Sequence, residues 1–212
     1  MTSLADKPEI VRRISSHIDP VQLKKDLEQL RDKALTLGAA DAAVIQIDDV
    51  IFDPELLKRV NADGGYPSVH WPLNYPKDDL KEAIRAYQWA IFFRMKINGD
   101  FPYYGGGPIL NGEHRQWYLK LYEITTALES SGFYMGYQLS LGLASGNCRG
   151  VFCADEKRCW PMIKGRACIR PNMGRPSMEA TGIDALSIAD KLNWHLPEGG
   201  SYPILAGLVM IT

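Results

Sequence analysis

The sequence predicts a single α/β or α+β domain, with a central sheet flanked by helices and a cysteine-rich metal-binding loop before the last helix and the C-terminal strand. Apolar runs typical of strands alternate with stretches of helical periodicity. All four cysteines fall between residues 148 and 168, outside these stretches. The chain has 212 residues, of which 46% are hydrophobic, and no linker divides it, so we expect one domain over residues 1–212.

The first half of the chain predicts two helix–strand pairs. Asp19 is a typical N-cap, Pro20 suits the first helical position, and Gly38 is a typical helix stop. The apolar stripe of this helix is formed by Leu23, Leu27, Leu30 and Leu35. Residues 42–47, AAVIQI, predict a core strand, which VIFD extends before a short helix or turn at PELLKRV. The second pair is a helix at KDDLKEAIRAYQ and a strand at WAIFFRMKI.

Two aromatic loops and a long helix follow this pattern. Residues 61–76 and 101–112 are rich in Gly, Pro and aromatic side chains and lack a sustained period, which predicts ordered loops. Residues 113–141 form the longest helical pattern in the chain. After the cysteines, residues 177–192 predict a helix in two pieces around Gly182, and residues 202–211 predict a buried strand.

Composition narrows the class of protein. The net charge is −1, the pI is about 6.4, and charges of both signs are interleaved, so we expect no nucleic-acid partner. No apolar run is long enough for a membrane span, and the start lacks the apolar core of a signal peptide. We therefore expect a cytoplasmic protein without a membrane partner, whose oligomeric state the sequence leaves open. In a reducing cytosol, clustered cysteines indicate a metal site rather than disulfides.

The cysteine-rich segment, residues 147–176, holds Cys148, Cys153, Cys159 and Cys168 in the spacing C-x4-C-x5-C-x8-C. Structural zinc sites favour two tight pairs, and only the first pair here fits. Iron–sulfur clusters accept wider spacings, so the spacing alone leaves both metals open. Seven Lys and Arg side chains accompany two acidic ones in this segment. Such cations lower thiol pKa values and stabilise a reduced cluster.

A resemblance to a known family rests on Cys168-Ile-Arg-Pro171 and on RPSMEATGID, residues 175–184. These residues resemble the signature of a family of prokaryotic predicted metal-binding proteins of unknown function. The likeness extends to GFYMGYQLSLGLASGNC before the first cysteines, to LGAADAAVIQIDDVIFD and to the opening helix. The resemblance implies an iron–sulfur cluster, of a kind common in anaerobes.

This chain departs from the family pattern in two places. Members that it resembles carry a further cysteine group in the first half, ending in a Cys-Pro-Pro-x-x-Pro turn before a helix. The matching stretch here is VHWPLNYPKDDL, with His70 where that turn would lie and no cysteine. The resemblance therefore implies one metal centre in this chain, whereas proteins with the second cysteine group have ligands for two. The cysteine spacings are also longer than those of the family.

The candidate catalytic residues are His70, Tyr103, Tyr104 and Arg175. His70 and the two tyrosines lie in the aromatic loops and are candidates for proton supply to a bound small molecule, with simple packing as the alternative. Arg175 would donate hydrogen bonds toward the cluster or an anionic substrate. Its alternative is an ordinary i, i+4 ion pair with Glu179.

Two hypotheses of different classes result. The first is one [4Fe–4S] cluster on the four cysteines of a reductive enzyme or activator, acting with a small-molecule substrate or a redox partner protein. A variant of it is a non-redox enzyme in which three cysteines leave an open iron for the substrate. The second is a non-catalytic binding module in which zinc only folds the cysteine-rich segment.

Overall fold

A computed structural model of the protein describes residues 18–56, 77–97, 112–156, 159–160, 166–194 and 204–212. Within these ranges, helices and strands alternate around one sheet. In chain order they are α1 (Pro20–Thr36), β1 (Asp41–Gln46), α2 (Lys77–Arg85), β2 (Trp89–Arg94), α3 (Gly112–Tyr134), β3 (Leu141–Leu143), α4 (Cys148–Phe152), α5 (Ala185–Lys191) and β4 (Ala206–Met210). Short 3-10 turns cover Ile47–Asp49 and Glu179–Thr181.

Helix α1 begins and ends where the sequence predicts. The Asp19 side chain accepts a hydrogen bond of 3.0 Å from the Val21 backbone N–H and caps the helix. Gly38 follows the helix with a φ of +107°, in the left-handed region that glycine tolerates. The buried apolar stripe is Leu27, Leu30 and Ala34. Leu35 was wrongly placed in this stripe, since it is 42% exposed.

The sheet is antiparallel throughout and has the strand order β1-β2-β4-β3. Ile91 of β2 pairs with Val44 on one side and with Val209 on the other. Antiparallel neighbours distinguish an α+β fold from a parallel α/β fold, so the mixed class is confirmed and the first of its two alternatives is dropped.

Both faces of the sheet are covered. Ile91 and Phe93 of β2 point to a core shared with α1 and α3. Phe92 points to the opposite core, where it stacks on Trp194 with ring centroids 5.2 Å apart. Cys148 and Val151 of α4 belong to the core on the α3 side. The first cysteine is therefore anchored in the hydrophobic interior, and the other three follow it toward the surface.

The prediction of a helix over residues 113–141 is wrong at its end. Helix α3 ends at Tyr134, the chain turns through Gly136 with a φ of +101°, and β3 begins at Leu141. A strand of three residues is too short to show a period of two, which explains why the pattern hid it.

Other elements follow the prediction more closely. The helical stretch after the cysteines divides at Gly182, which has a φ of +78°, and β4 is buried along its whole length. The strand extension at residues 50–53 was wrong, since a 3-10 turn intervenes and only Phe52 forms a single bridge, to Ile183.

Parts of the predicted loops lie outside the described residues, namely 61–76 and 101–111. Among the described helices, none combines the length and the apolar character that crossing a membrane requires.

Candidate metal centre

The turn before Cys148 is held from several directions. Ser145 hydrogen-bonds to strand β4, since its hydroxyl donates to the Ala206 carbonyl at 2.9 Å and accepts from the Ala206 N–H at 3.2 Å. Gly146 donates its N–H to the carboxylate of Glu179, with the two oxygens at 3.2 and 3.4 Å. The Tyr122 hydroxyl donates to the Gly146 carbonyl at 3.4 Å. The backbone entering the cysteine segment is therefore fixed to β4, α3 and the RPSMEATGID motif.

Gly146 is required at this turn for two physical reasons. Its φ is +70°, a left-handed conformation that L side chains rarely adopt. A Cβ atom at this position would lie 2.7 Å from the ring of Tyr118. Any larger residue would push the turn away from α3 and move Cys148 with it.

Helix α4 places Cys148 at the pocket. The Asn147 side chain accepts from the Arg149 N–H at 2.8 Å and caps the helix, so Cys148 is its first residue. At the other end, the Arg115 guanidinium donates to the Val151 carbonyl at 3.1 and 3.2 Å. Phe152 packs edge-on against Tyr122, with ring centroids 5.1 Å apart. This five-residue helix is thus capped at its start by Asn147 and tied to α3 at its end.

All four cysteines line one pocket. Cys148 is buried at its base, and the other three are partly exposed. The Arg170 backbone N–H donates to the Cys168 sulfur at 3.2 Å, a contact that stabilises negative charge on sulfur. The remaining lining residues are Arg149, Phe152, Trp160, Ile169, Arg170 and Gly174.

The thiols influence one another electrostatically. The pKa of Cys148 is raised to about 12, chiefly by burial and further by repulsion from the charges of Cys159, Cys168 and Cys153. Burial, followed by the charge of Cys168, also raises the pKa of Cys153, against the opposing effect of Arg170. Such mutual repulsion is relieved when a cation binds between the sulfurs, because the ligands are then thiolates paired with positive charge.

The donor set fits a thiophilic metal, although the sulfurs are not yet at coordinating positions. No group of three or more Cys, His, Asp or Glu side chains within the described ranges has the geometry to hold a metal ion. The free space in the pocket is about 20 Å³, room for about one water-sized body. Cys153, Cys159 and Cys168 lie on irregular backbone. Their sulfurs are therefore less constrained than that of Cys148, which a helix holds.

Arg175 does not reach the pocket, and its predicted pair with Glu179 is wrong. Its guanidinium binds the carboxylate of Glu129 on α3 in a bidentate pair, at 2.9 and 2.8 Å. The same guanidinium donates to the carbonyls of Pro171 at 3.1 Å and Gly174 at 2.8 Å. Arg175 thereby ties the segment that carries Cys168 to α3.

The other candidate residues divide by position. His70, Tyr103 and Tyr104 lie outside the described residues, so their proposed role in proton supply stays a prediction.

The sequence reasoning did not identify Glu129 or Glu179 as positioning residues. Glu179 lies inside the recognised RPSMEATGID motif and is only 2% exposed, so the motif itself was the available signal. Glu129 had no such signal, because its partner Arg175 is 46 residues away.

Comparison with known proteins gives the family of the chain. The family of predicted metal-binding proteins designated DUF2284 matches residues 43–211, most of the chain. The chain belongs to this family. The match covers the four cysteines, the Gly146 turn and the Glu129–Arg175 pair. No curated protein and no solved structure matches the chain.

Proposed function

We propose that this member of the DUF2284 family binds one [4Fe–4S] cluster through Cys148, Cys153, Cys159 and Cys168 and acts as a redox protein, a reductive enzyme or activator for a small molecule. The observation that carries the proposal is the convergence of all four cysteines of the chain on one pocket. When bound, a cluster with four thiolate ligands supplies one-electron transfer.

The residues around the sulfurs suit this role. Phe152, Trp160 and Ile169 provide an apolar lining that limits water beside the sulfurs. Arg149 and Arg170 bring positive charge, which offsets the negative charge of four thiolates. The N–H of Arg170 on the Cys168 sulfur favours the more reduced state, because a hydrogen bond to a ligand sulfur stabilises added negative charge.

Proton supply is the second part of the proposal. Reduction of an organic molecule consumes protons as well as electrons. His70, Tyr103 and Tyr104 carry groups that donate protons, and the stretch with His70 stands where the proteins that this chain resembles have a further cysteine group. Substitution of His70 by Gln and of each tyrosine by Phe would slow substrate reduction without altering the cluster spectrum.

A zinc-binding module without catalysis is the second candidate. The C-x4-C spacing of Cys148 and Cys153 fits one of the tight pairs that structural zinc sites favour. Four thiolates around one zinc ion would fold the cysteine-rich segment against α3 and need no further chemistry.

Anaerobic spectroscopy separates the two candidates. We expect protein purified without oxygen to absorb broadly at about 400 nm and to bleach with dithionite. We also expect each of the four Cys→Ser substitutions to abolish the absorption, since all four side chains line the pocket. If one substitution spared the cluster, three cysteines would suffice and the fourth iron would be open to substrate. A colourless wild-type protein with one zinc per chain would refute the cluster.

A further inference from the structure

A continuous exposed strip borders the cysteine pocket on one side. It comprises residues 166–173, in which every residue is exposed except the partly buried Cys168. We call this strip the basic rim, because it contains Arg166 and Arg170 and no acidic residue. Two apolar side chains on it face solvent, Ile169 with 38% and Met173 with 45% exposure.

The basic rim is in direct contact with the candidate metal centre. Ile169 and Arg170 line the pocket, and the Arg170 N–H donates to the Cys168 sulfur at 3.2 Å. The Arg166 guanidinium lies over the ring of Trp160, 5.0 Å from its centroid, and Trp160 also lines the pocket. A molecule seated on the rim would therefore lie against the edge of the metal centre that three cysteines expose.

Charge on the chain is divided unevenly around this site. Residues 147–176 contain seven Lys and Arg against two acidic residues, a net charge of +5, in a chain with a net charge of −1. The rest of the chain therefore carries −6. Arg166 and Arg170 are the part of this positive charge that the described residues place on the rim, where no acidic residue accompanies them. Such an excess attracts an acidic partner and accelerates its association.

Apolar side chains distinguish the kind of partner. The apolar side chains of Ile169 and Met173 would add little binding free energy in a complex with the phosphate backbone of a nucleic acid. Methionine and arginine are, by contrast, enriched at protein–protein interfaces. Small, charged interfaces are typical of transient complexes between redox proteins. We propose that the basic rim is the docking surface for a small acidic electron-carrier protein, which passes one electron to the metal centre beside Cys168.

This inference rests on the proposed function, since it requires a redox-active centre. The step is a single electron transfer: the reduced carrier is oxidised by one electron, the cluster is reduced by one, and no bond forms or breaks at the rim. Dithionite, a small reductant, needs no docking surface, so it tests the cluster separately from the rim.

The test uses the anaerobic, cluster-loaded protein and a reduced acidic plant-type [2Fe–2S] ferredoxin, mixed in a stopped-flow instrument across a salt series. Arg166→Glu and Met173→Glu alter the rim at residues that do not line the pocket. Lys25→Glu is the matched control, because it makes the same charge change as Arg166→Glu on an exposed position of α1. Dithionite reduction and the absorption spectrum of each variant report the state of the cluster.

We expect the second-order rate to fall as salt rises, and each rim variant to lower it about tenfold at low salt. Lys25→Glu should stay within about twofold of the wild type, with all variants equally reducible by dithionite. Wild-type rates in both rim variants would overturn the docking surface and leave the cluster intact. The docking surface would also be overturned if the rim mediated dimerisation of this protein, or bound DNA, instead of binding ferredoxin. A colourless, zinc-loaded protein would overturn the cluster, and the electron-carrier inference with it.

Discussion

The Glu129–Arg175 pair should control both the stability of the fold and the position of Cys168. The side chains are only 20% and 13% exposed, and their bidentate contact joins α3 to the segment that carries Cys168. Arg175→Ala would leave the Glu129 carboxylate with the Gly142 N–H as its remaining described donor, at 2.6 Å. It would also remove donors from the carbonyls of Pro171 and Gly174.

The magnitude follows from the burial of the pair. Removing one partner of a fully buried ion pair costs about 3–5 kcal/mol, and partial exposure reduces the loss here to about 2–3 kcal/mol. Since Cys168 loses its anchor, we also expect metal affinity to fall about tenfold, as for other groups that hold a ligand from outside the coordination shell. For Arg175→Lys we expect losses of stability and of metal affinity between zero and those of Arg175→Ala, because lysine keeps the charge but not the bidentate geometry.

Two assays and one control test these values. Urea denaturation of the metal-free protein gives the free energy of unfolding, and titration with Co²⁺, followed by its thiolate charge-transfer band, gives the affinity of the cysteines. Arg94→Ala is the matched control, because Arg94 pairs with Asp41 across β1 and β2 with comparable burial of the arginine. It should lower stability without changing Co²⁺ affinity. Unchanged Co²⁺ affinity in Arg175→Ala would refute the positioning role, and unchanged stability would refute the energetic argument.

Further predictions concern the Gly146 turn and the pocket thiols. Gly146→Ala should cost about 2–4 kcal/mol and weaken metal binding, since the new Cβ meets Tyr118 and the backbone is left-handed; full Co²⁺ affinity would contradict this. Glu179→Ala should cost about 2–4 kcal/mol in urea denaturation, and Glu179→Gln clearly less, because its amide oxygen still accepts from Gly146; equal losses would argue against that hydrogen bond. Metal binding at about pH 8 should release protons, among them those that Cys148 and Cys153 hold because burial raises their pKa values, in calorimetry across buffers of different ionisation enthalpy; Cys148→Ser should reduce the release by about one.

The same thiol sets the pH dependence of the metal-free protein. The folded-state pKa of Cys148, about 12, is raised above its ordinary value of 9.0. The folded chain therefore holds this proton more tightly than the unfolded chain does, and the resulting stability is present below pH 9.0 and lost as the pH rises toward about 12. Urea midpoints should fall over that window in the metal-free protein. Cys148→Ser should flatten the dependence, and an equally steep fall in that variant would assign it to another group.

The sequence predicted the elements that have strong local signals. Asp19-Pro20 marked the start of α1, and the apolar run at the end of the chain marked β4. The cysteines that cluster in sequence also line one pocket, and their role as metal ligands stays a prediction.

Elements stabilised by distant contacts were not predictable from local pattern. Helix α4 has five residues, and its Asn147 cap resembles a turn in sequence. The local rule paired Arg175 with Glu179, whereas tertiary contacts send Arg175 to Glu129 and Glu179 to Gly146. The sequence contains Glu129 and Glu179, but their hydrogen-bond partners depend on how α3 and β3 pack against the cysteine segment.

Quantification of iron, sulfide and zinc in anaerobically purified protein tests the central claim most directly. A [4Fe–4S] cluster on Cys148, Cys153, Cys159 and Cys168 predicts about four iron and four sulfide per chain, with little zinc, and loss of both in the Cys→Ser variants. About one zinc per chain, with no sulfide and no iron after anaerobic reconstitution, would contradict the cluster and establish the pocket as a structural zinc site.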